Sequence, residues 1–224
     1  MSCLILKKLK EITTTTKKRN LITYSNPDSI ITEEYRTIRT NIQFTLDEKQ
    51  YKSILLTSPS KEEGKSTTVA NLAVSMAQQK QKVLVIDADL RNPRIHSIFK
   101  LDNSVGLTSL LTSKNWLESA IKKINIGNLD ILTSGPIQNN PAELLGSKEF
   151  QELLQPLFKM YDVILIDSPP VLDVTDTKLI ANQCDSVVLV LKEGKSKIEK
   201  AIEAKKVLKF AKAKLIGTII NEKS

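Results

Sequence analysis

The sequence has little of what several classes of protein require. Its two cysteines, Cys3 and Cys184, have neither the spacing of a metal site nor that of a disulfide framework. Its longest apolar runs are strand-sized, far short of the roughly 20 residues that cross a bilayer. The start, MSCLILKKLKEI, lacks the pattern of a signal peptide. These absences predict a protein of the reducing cytoplasm without a membrane span.

Aromatic residues are also scarce, at 4% of 224 residues, whereas basic residues are abundant and bring the net charge to +8. A surplus of this sign favours acidic partners such as phosphates, anionic lipid or acidic protein segments. The most lysine-rich stretch, residues 192–214, contains Phe210 as its one aromatic residue, so it offers no platform for stacking bases. Nucleic acid is therefore not an expected partner. The alternative to an acidic partner is that these lysines form an ordinary solvated face.

The hydrophobic pattern separates a basic N-terminal tail and linker, residues 1–28, from one domain over residues 29–224. In that domain, short β-branched runs alternate with helical patterns. The runs are residues 53–57, 82–87, 129–133, 162–167, 186–191 and 214–220. Apolar strands separated by helices favour a mostly parallel sheet with helices on both faces. We therefore predict a single-domain α/β fold with three layers.

Helices are predicted at both ends of this domain. TEEYRTIRTNIQFTL, residues 32–46, has Thr32 as its predicted N-cap, and acidic residues follow in the first turn. A later helix is predicted from apolar residues that share one face, namely Ile198, Ala201, Ile202 and Leu208.

The stretch SPSKEEGKST, residues 58–67, follows the predicted strand SILLT and opens a helix near Lys65. That is the context in which a phosphate-binding P-loop is expected. Backbone N–H groups and the positive end of the helix would bind phosphate, Lys65 would add a point charge, and the Ser66 hydroxyl would hold Mg²⁺. The tripeptide GKS alone is weak evidence, and its position between strand and helix strengthens the prediction.

Carboxylates end two of the predicted strands. KVLVIDADLR ends one strand with Asp87 and Asp89, and DVILIDSPP ends another with Asp167. Ligands of open α/β sheets bind at the carboxyl ends of the strands. Each aspartate alone is compatible with an ordinary strand-end cap, but beside a P-loop they can hold Mg²⁺ with its waters and accept a proton.

These motifs together resemble those of the bacterial tyrosine kinases. IDADLR, residues 86–91, resembles the second Walker motif of that family (Walker A′), and ILIDSPP, residues 164–170, resembles its Walker B motif. EEYRTIR, residues 33–39, contains the family's ExxRxxR pattern, and residues 132–147 are similar to the segment before Walker B. The resemblance runs from about residue 25 to the C-terminus. It is strongest to the cytoplasmic kinase subunit of Gram-positive capsule and exopolysaccharide operons.

The resemblance implies an ATP-dependent protein-tyrosine kinase that uses Mg²⁺ and has the P-loop NTPase fold. Asp87 would take the proton of the incoming tyrosine hydroxyl, Asp89 would help to hold the metal, and Lys65 would complete the catalytic group. The implied metal-binding residues are Ser66, Asp87, Asp89 and Asp167. The implied nucleotide-binding residues are Glu63, Gly64, Lys65, Ser66, Thr67 and Asn221. Asn221 would read adenine, although a C-terminal turn is an equal interpretation of that residue.

The resemblance also implies partners and a location. Glu33, Arg36 and Arg39 would contact a neighbouring subunit in a ring, whereas i,i+3 pairing on a solvated helix face is the alternative from the residues alone. The cytoplasmic tail of a membrane protein of the polysaccharide co-polymerase type would activate the kinase and recruit it to the inner face of the membrane. Protein tyrosines would be the substrates, and the regulated process would be the biosynthesis and export of polysaccharide.

Two features depart from the family pattern. Lys61 and Glu62 stand where relatives have Pro-Gly, which removes backbone freedom and adds a negative charge near the phosphate site. Many relatives also end in a tyrosine cluster, whereas the tyrosines of this sequence are Tyr24, Tyr35, Tyr51 and Tyr161. We expect nucleotide binding to survive in weakened form, and we expect no regulation through a tyrosine tail in the sequence as given.

Two alternative functions stay open from the sequence. A ParA/MinD-type ATPase switch is one, although Ser60 stands where those proteins place a lysine. The other is a nucleotide-binding adaptor without efficient turnover, which Glu62 and the missing tyrosine cluster favour.

Overall fold

The computed structural model describes residues 4–11, 21–112 and 117–223, with the side chains of residues 21–112 and 117–222. In this part of the chain, eight strands form one sheet in the order β1-β8-β7-β2-β6-β3-β5-β4. Neighbouring strands are parallel except for the antiparallel pair β4 and β5. The strands are β1 (Leu4–Glu11), β2 (Ser53–Thr57), β3 (Val83–Asp87), β4 (Ile121–Lys123), β5 (Leu129–Leu132), β6 (Val163–Asp167), β7 (Ser186–Lys192) and β8 (Leu215–Lys223).

Helices cover both faces of the sheet. The helices are α1 (Ile22–Ser25), α2 (Ile30–Lys49), α3 (Lys65–Ala77), α4 (Ile95–Phe99), α5 (Leu107–Thr112), α6 (Leu117–Ala120), α7 (Pro141–Leu145), α8 (Lys148–Met160), α9 (Asp176–Gln183) and α10 (Ile198–Phe210). Residues of α2, α3 and α4 pack in one core, and residues of α5 to α10 pack in the other. Successive strand residues alternate between the cores: Leu55 lies in the second, whereas Ile54 and Leu56 lie in the first. The predicted three-layer α/β fold is confirmed.

The six predicted strands correspond to β2, β3, β5, β6, β7 and β8. Strand β4 was not predicted; it has only three residues and an exposed Lys123. Residues 1–28 were predicted to be a tail, whereas Leu4–Glu11 pairs in parallel with β8 and Ile22–Ser25 is helical. The apolar run of this edge strand ends at Leu6 and lysines follow it, a composition that is also typical of a basic tail. Residues 1–3 and 12–20 lie outside the described residues, and the division at residue 28 stays a prediction.

Two local details of the predicted helices were wrong. Ser29, rather than Thr32, is the N-cap of α2, because its hydroxyl accepts a hydrogen bond from the Thr32 N–H at 3.1 Å. In α10 the exposed face includes Ile198 and Ile202, and the buried residues are Ala204 and Leu208. No helix among the described residues is both long and apolar enough to cross a membrane.

Candidate active site

The P-loop connects β2 to α3 at the carboxyl end of the sheet. Gly64 has φ +89°, and a Cβ at this position would lie 2.1 Å from Asn221 Nδ2, so both conformation and space require glycine. Asn221 Nδ2 donates to the Glu63 carbonyl at 3.4 Å, which places this side chain against the loop backbone. Lys65 begins α3 and is buried. The free N–H groups of the first turn of α3 therefore lie beside the lysine charge, as an anion site requires.

The two glutamates of the loop are both held by the turn between β7 and α10. Glu62 has φ +60°, a left-handed conformation that favours glycine, and Lys195 Nζ lies 3.0 Å from its Oε2. Glu63 is buried and its Oε1 accepts a hydrogen bond from Ser196 Oγ at 2.7 Å. Glu63 therefore shapes the loop from behind, and Glu62 projects into solvent.

The three predicted aspartates converge beside this loop. Asp87 and Asp167 are register partners at the ends of β3 and β6, and β6 lies between β2 and β3 in the sheet. Asp87 is fully buried and accepts hydrogen bonds from the N–H groups of Asp89 (3.3 Å), Arg94 (3.1 Å) and Ile95 (3.0 Å). Asp87 therefore shapes the loop that carries Asp89. Asp89 Oδ1 in turn accepts from the Asn92 N–H at 3.0 Å.

Burial raises the pKa of each of these carboxyl groups. Burial raises the pKa of Asp87 well above its usual range, and the neighbouring Asp167 charge raises it further. Burial raises the pKa of Asp167 to about 7, although the nearby Lys65 charge opposes this shift. The pKa of Asp89 is also raised by burial. A carboxyl group whose pKa is raised by burial, beside a specific charged partner in a cleft, marks a candidate functional site.

The residues present fit a magnesium ion. Both carboxylate oxygens of Asp167 are buried and accept no hydrogen bond of normal geometry from the described residues, although Lys65 and the Ser66 hydroxyl are close enough to lower the pKa of this group. An ionised carboxylate in this environment is costly unless a cation or a proton lies beside it. Ser66, at the start of α3, adds a hydroxyl oxygen. No three His, Cys, Asp or Glu side chains of the described residues form a metal site by themselves. Mg²⁺ is commonly held in this way, by one or two protein groups together with phosphate oxygens and waters.

A cavity of about 540 Å³ opens in front of the P-loop. Its lining includes these residues that the sequence analysis selected: Gly64, Lys65, Ser66, Thr67 and Asp89. The same lining does not include Glu63, Asp87, Asp167 or Asn221. The structure therefore divides the predicted site residues into a group that faces the cavity and a group that supports it from behind.

The predicted subunit-contact residues lie on α2, away from this cavity. Arg36 is partly exposed and pairs with Glu33, whose Oε2 lies 2.8 Å from Arg36 Nη1. Arg39 is buried, and its Nη1 donates to the Ser75 carbonyl at 2.6 Å and to Ser75 Oγ at 3.1 Å. A direct contact of Arg39 with a neighbouring subunit needs an exposed side chain, whereas this side chain is buried and links α2 to α3.

Arg91 has a partner that was not predicted from the sequence. Arg91 lies in the loop after β3, and its guanidinium forms two hydrogen bonds with Asp176, at 2.8 and 3.0 Å. Asp176 begins α9 and is fully buried. No sequence signal joins two residues that are 85 positions apart. This pair fixes the loop that carries Asp89.

Comparisons with known proteins agree with this geometry. A family model described as an AAA domain matches residues 61–214. The tyrosine-protein kinase YwqD of Bacillus subtilis (strain 168) is 50% identical over 206 residues, which are 92% of this chain and 87% of that protein.

Solved structures are also similar. The crystal structure of the chimerical protein CapA2B2 has a TM-score of 0.91 and 38% identity, covering 98% of this chain and 94% of that chain. The septum site-determining protein MinD of Pyrococcus horikoshii, solved with Mg-ADP, has a TM-score of 0.65 and 26% identity, covering 75% of this chain and 69% of that one. From these similarities and the P-loop, the chain belongs to the family of bacterial tyrosine-protein kinases.

Proposed function

We propose that the protein is an ATP-dependent protein-tyrosine kinase that regulates the biosynthesis and export of capsular or extracellular polysaccharide. The observation that carries the proposal is the pair of buried strand-end carboxylates, Asp87 and Asp167, beside the P-loop lysine Lys65. The high identity to a tyrosine-protein kinase supports protein tyrosine as the acceptor of the phosphoryl group. The role in polysaccharide assembly rests on the motif resemblance to capsule and exopolysaccharide kinases.

The residues that face the cavity suit the binding of a nucleoside triphosphate with Mg²⁺. The loop N–H groups and Lys65 would bind the β- and γ-phosphates, and Ser66 and Asp167 would hold the metal, directly or through water. Mg²⁺ supplies neutralisation of the phosphate charge when it is bound. Glu63 and Asn221 would act indirectly, because their described contacts are with the turn before α10 and with the loop backbone.

Phosphoryl transfer needs a proton acceptor close to the incoming hydroxyl. We assign this role to Asp87 from the motif resemblance; because Asp87 lies behind the lining of the cavity, it would take the proton through a bridging water. The tyrosine oxygen forms its bond to the γ-phosphorus while the bond from that phosphorus to the bridging oxygen breaks, and the phenolic proton passes to Asp87. Asp89, which lines the cavity, would hold metal-bound water. Positioning and charge stabilisation supply most of the acceleration in such reactions.

The proposed partners follow from the same resemblance. The cytoplasmic tail of a membrane activator of the polysaccharide co-polymerase type would bind the kinase in the cytoplasm and bring it to the membrane. Copies of the chain would assemble in a ring through exposed Glu33 and partly exposed Arg36 on α2. Arg39 would contribute by fixing α2 against α3.

The test is incubation of the protein with Mg-ATP and the activator tail, followed by detection of phosphotyrosine on the chain and on added protein. We expect phosphotyrosine that depends on Mg²⁺ and is lost in Lys65→Met. Nucleotide binding without phosphotyrosine would instead indicate the adaptor. Hydrolysis of ATP to free phosphate without transfer would indicate a switch of the MinD type.

A further inference from the structure

A second groove, of about 580 Å³, adjoins the candidate nucleotide cavity. Three residues line both spaces: Lys61, Asn92 and Pro170. The lining that belongs to the groove alone consists of Ser60, Arg91, Pro169, Asp173 and Val174. The two spaces are therefore continuous through the loops that follow β2, β3 and β6, where the carboxylates of the site lie.

The walls of this groove are held rigidly. The Pro169 carbonyl accepts hydrogen bonds from Thr57 Oγ1 (2.9 Å) and Thr177 Oγ1 (2.7 Å), and the Val171 N–H donates to the Ser58 carbonyl at 2.9 Å. On the opposite wall, the ion pair between Arg91 and buried Asp176 fixes the loop after β3. A site that is ordered before binding does not lose affinity by having to become ordered.

The charges of the groove are separated along its length. Lys61 lies at the junction with the nucleotide cavity, is exposed, and makes no ion pair among the described residues. Its neighbour Glu62 does not neutralise it, because Glu62 pairs with Lys195. Asp173 is exposed and lines only the groove. Arg91 also lines the groove alone, but its charge is compensated by the pair with buried Asp176. The unpaired charges are therefore Lys61 beside the phosphates and Asp173 farther away, with Pro170 and Val174 as apolar lining.

We infer that this groove binds the acceptor polypeptide and that Lys61 and Asp173 determine which tyrosines are phosphorylated. The inference rests on the proposed kinase function. An acceptor must approach the γ-phosphorus from the side opposite the leaving group, so it needs a path next to the nucleotide cavity. The tyrosine ring would lie along Pro170 and Val174, an acidic residue beside the tyrosine would meet Lys61, and a basic residue farther along would meet Asp173.

Two synthetic peptides of identical composition and net charge test this inference. KAAEYEAAK places acidic residues beside the tyrosine and basic residues at the ends, and EAAKYKAAE reverses that order. We expect the wild-type enzyme, with Mg-ATP and the activator tail, to phosphorylate the first peptide with a kcat/KM about five-fold higher, since an exposed ion pair contributes up to about this factor. The difference arises in the KM for peptide and shrinks at high salt.

Substitutions at the two charges separate this inference from general effects on the loop. Lys61→Glu should reverse the preference between the peptides, and Asp173→Asn should reduce it. The matched control is Lys206→Glu on the exposed face of α10, which should leave the preference unchanged. A general disturbance of the P-loop by Lys61→Glu would raise the KM for ATP and would affect both peptides alike. The KM for ATP is therefore measured in parallel.

A binding measurement keeps this inference distinct from the proposed function. Fluorescein-labelled peptides with phenylalanine in place of tyrosine are titrated with the protein in Mg-ADP, and anisotropy is recorded. A binding preference that depends on Lys61, in a protein that forms no phosphotyrosine, would support peptide binding in the groove and would contradict the proposed kinase activity. Phosphotyrosine formation with equal use of both peptides, or with a preference that neither substitution changes, would overturn the groove.

Discussion

Lys195 Nζ lies 3.0 Å from Glu62 Oε2 and thereby joins the turn before α10 to the P-loop. Lys195 is 133 positions from Glu62 in the chain. The hydrogen bond from Lys195, together with its charge, lowers the pKa of Glu62, so the carboxylate stays ionised near the phosphate site. The residue that departs most from the family pattern thus has a partner, and its negative charge is partly neutralised.

We predict that Glu62→Gly binds ATP at least as tightly as the wild type. Glycine adopts φ +60° without strain, and the substitution removes a negative charge near the phosphates. The melting temperature should stay the same or rise, because the lost ion pair is exposed. Titration with a fluorescent ATP analogue measures the affinity. Lys195→Ala, which removes the ion pair but keeps Glu62, is the control. A clear loss of affinity in both variants would show that the pair holds the loop in its binding conformation.

We predict that Lys65→Met abolishes stabilisation by ATP. At 100 times its Kd, a ligand that binds only the folded state stabilises it by about 2.7 kcal/mol, which a thermal scan detects readily. The buried ammonium of Lys65 contributes to this binding as a point charge beside the helix N-terminus. Lys206→Met, at an exposed position of α10, is the matched control and should keep the full shift. If ATP raised the melting temperature of Lys65→Met as much as that of the wild type, the phosphates would not bind at Lys65.

We predict that Asp87→Asn keeps nucleotide binding but lowers phosphoryl transfer by about 10²-fold or more, the usual contribution of a general base. Single-turnover transfer and ATP binding are measured on the same preparations. Asp89→Asn, two residues away and facing the cavity, is the comparison and should weaken the dependence on Mg²⁺ more strongly. If Asp89→Asn shows the larger loss of transfer with binding intact, the two roles are reversed.

We predict that Asp167→Asn stabilises the nucleotide-free protein at pH 8 but not at pH 4. Burial raises the pKa of Asp167 to about 7 in the folded state, above its value of about 4 in the unfolded chain. Its ionisation therefore costs folding free energy that is absent below about pH 4, grows between pH 4 and 7, and is fully present above pH 7. Thermal unfolding of both proteins across this range is the measurement. An equal difference in melting temperature at all pH values would contradict the assignment.

We predict that the two arginines of the ExxRxxR pattern have different roles, Arg39 in the stability of the monomer and Arg36 in assembly. Arg39→Ala should destabilise the monomer by about 2 kcal/mol, because it leaves the Ser75 carbonyl without a charged donor in a buried environment. Arg36→Ala should change the stability by less than about 0.5 kcal/mol, since its pair with Glu33 is exposed. It should nevertheless reduce assembly in light scattering with the activator and Mg-ATP. A wild type that stays monomeric under those conditions would contradict the ring.

Much of the fold was predictable because its signals are local. The apolar run of each central strand and the helical face after Lys65 lie within a few residues of one another in the sequence. The meeting of Asp87 and Asp167 was also predictable, because each ends a predicted strand and parallel strands bring their carboxyl ends to one edge of a sheet. Where the local signal was weak, prediction failed, as for the lysine-rich strand Leu4–Glu11 and the three-residue strand Ile121–Lys123.

By itself, the sequence determined the family, the layered fold and the set of charged residues that meet at the sheet edge. The tertiary structure alone decided which of them face the cavity, because that depends on contacts between distant segments. Asp87 lies behind Asp89 because backbone N–H groups of the following loop bind it, and Arg39 is buried because α3 brings Ser75 to it. Pairs such as Glu62 with Lys195 form between residues that periodicity cannot relate, since only folding brings their segments together.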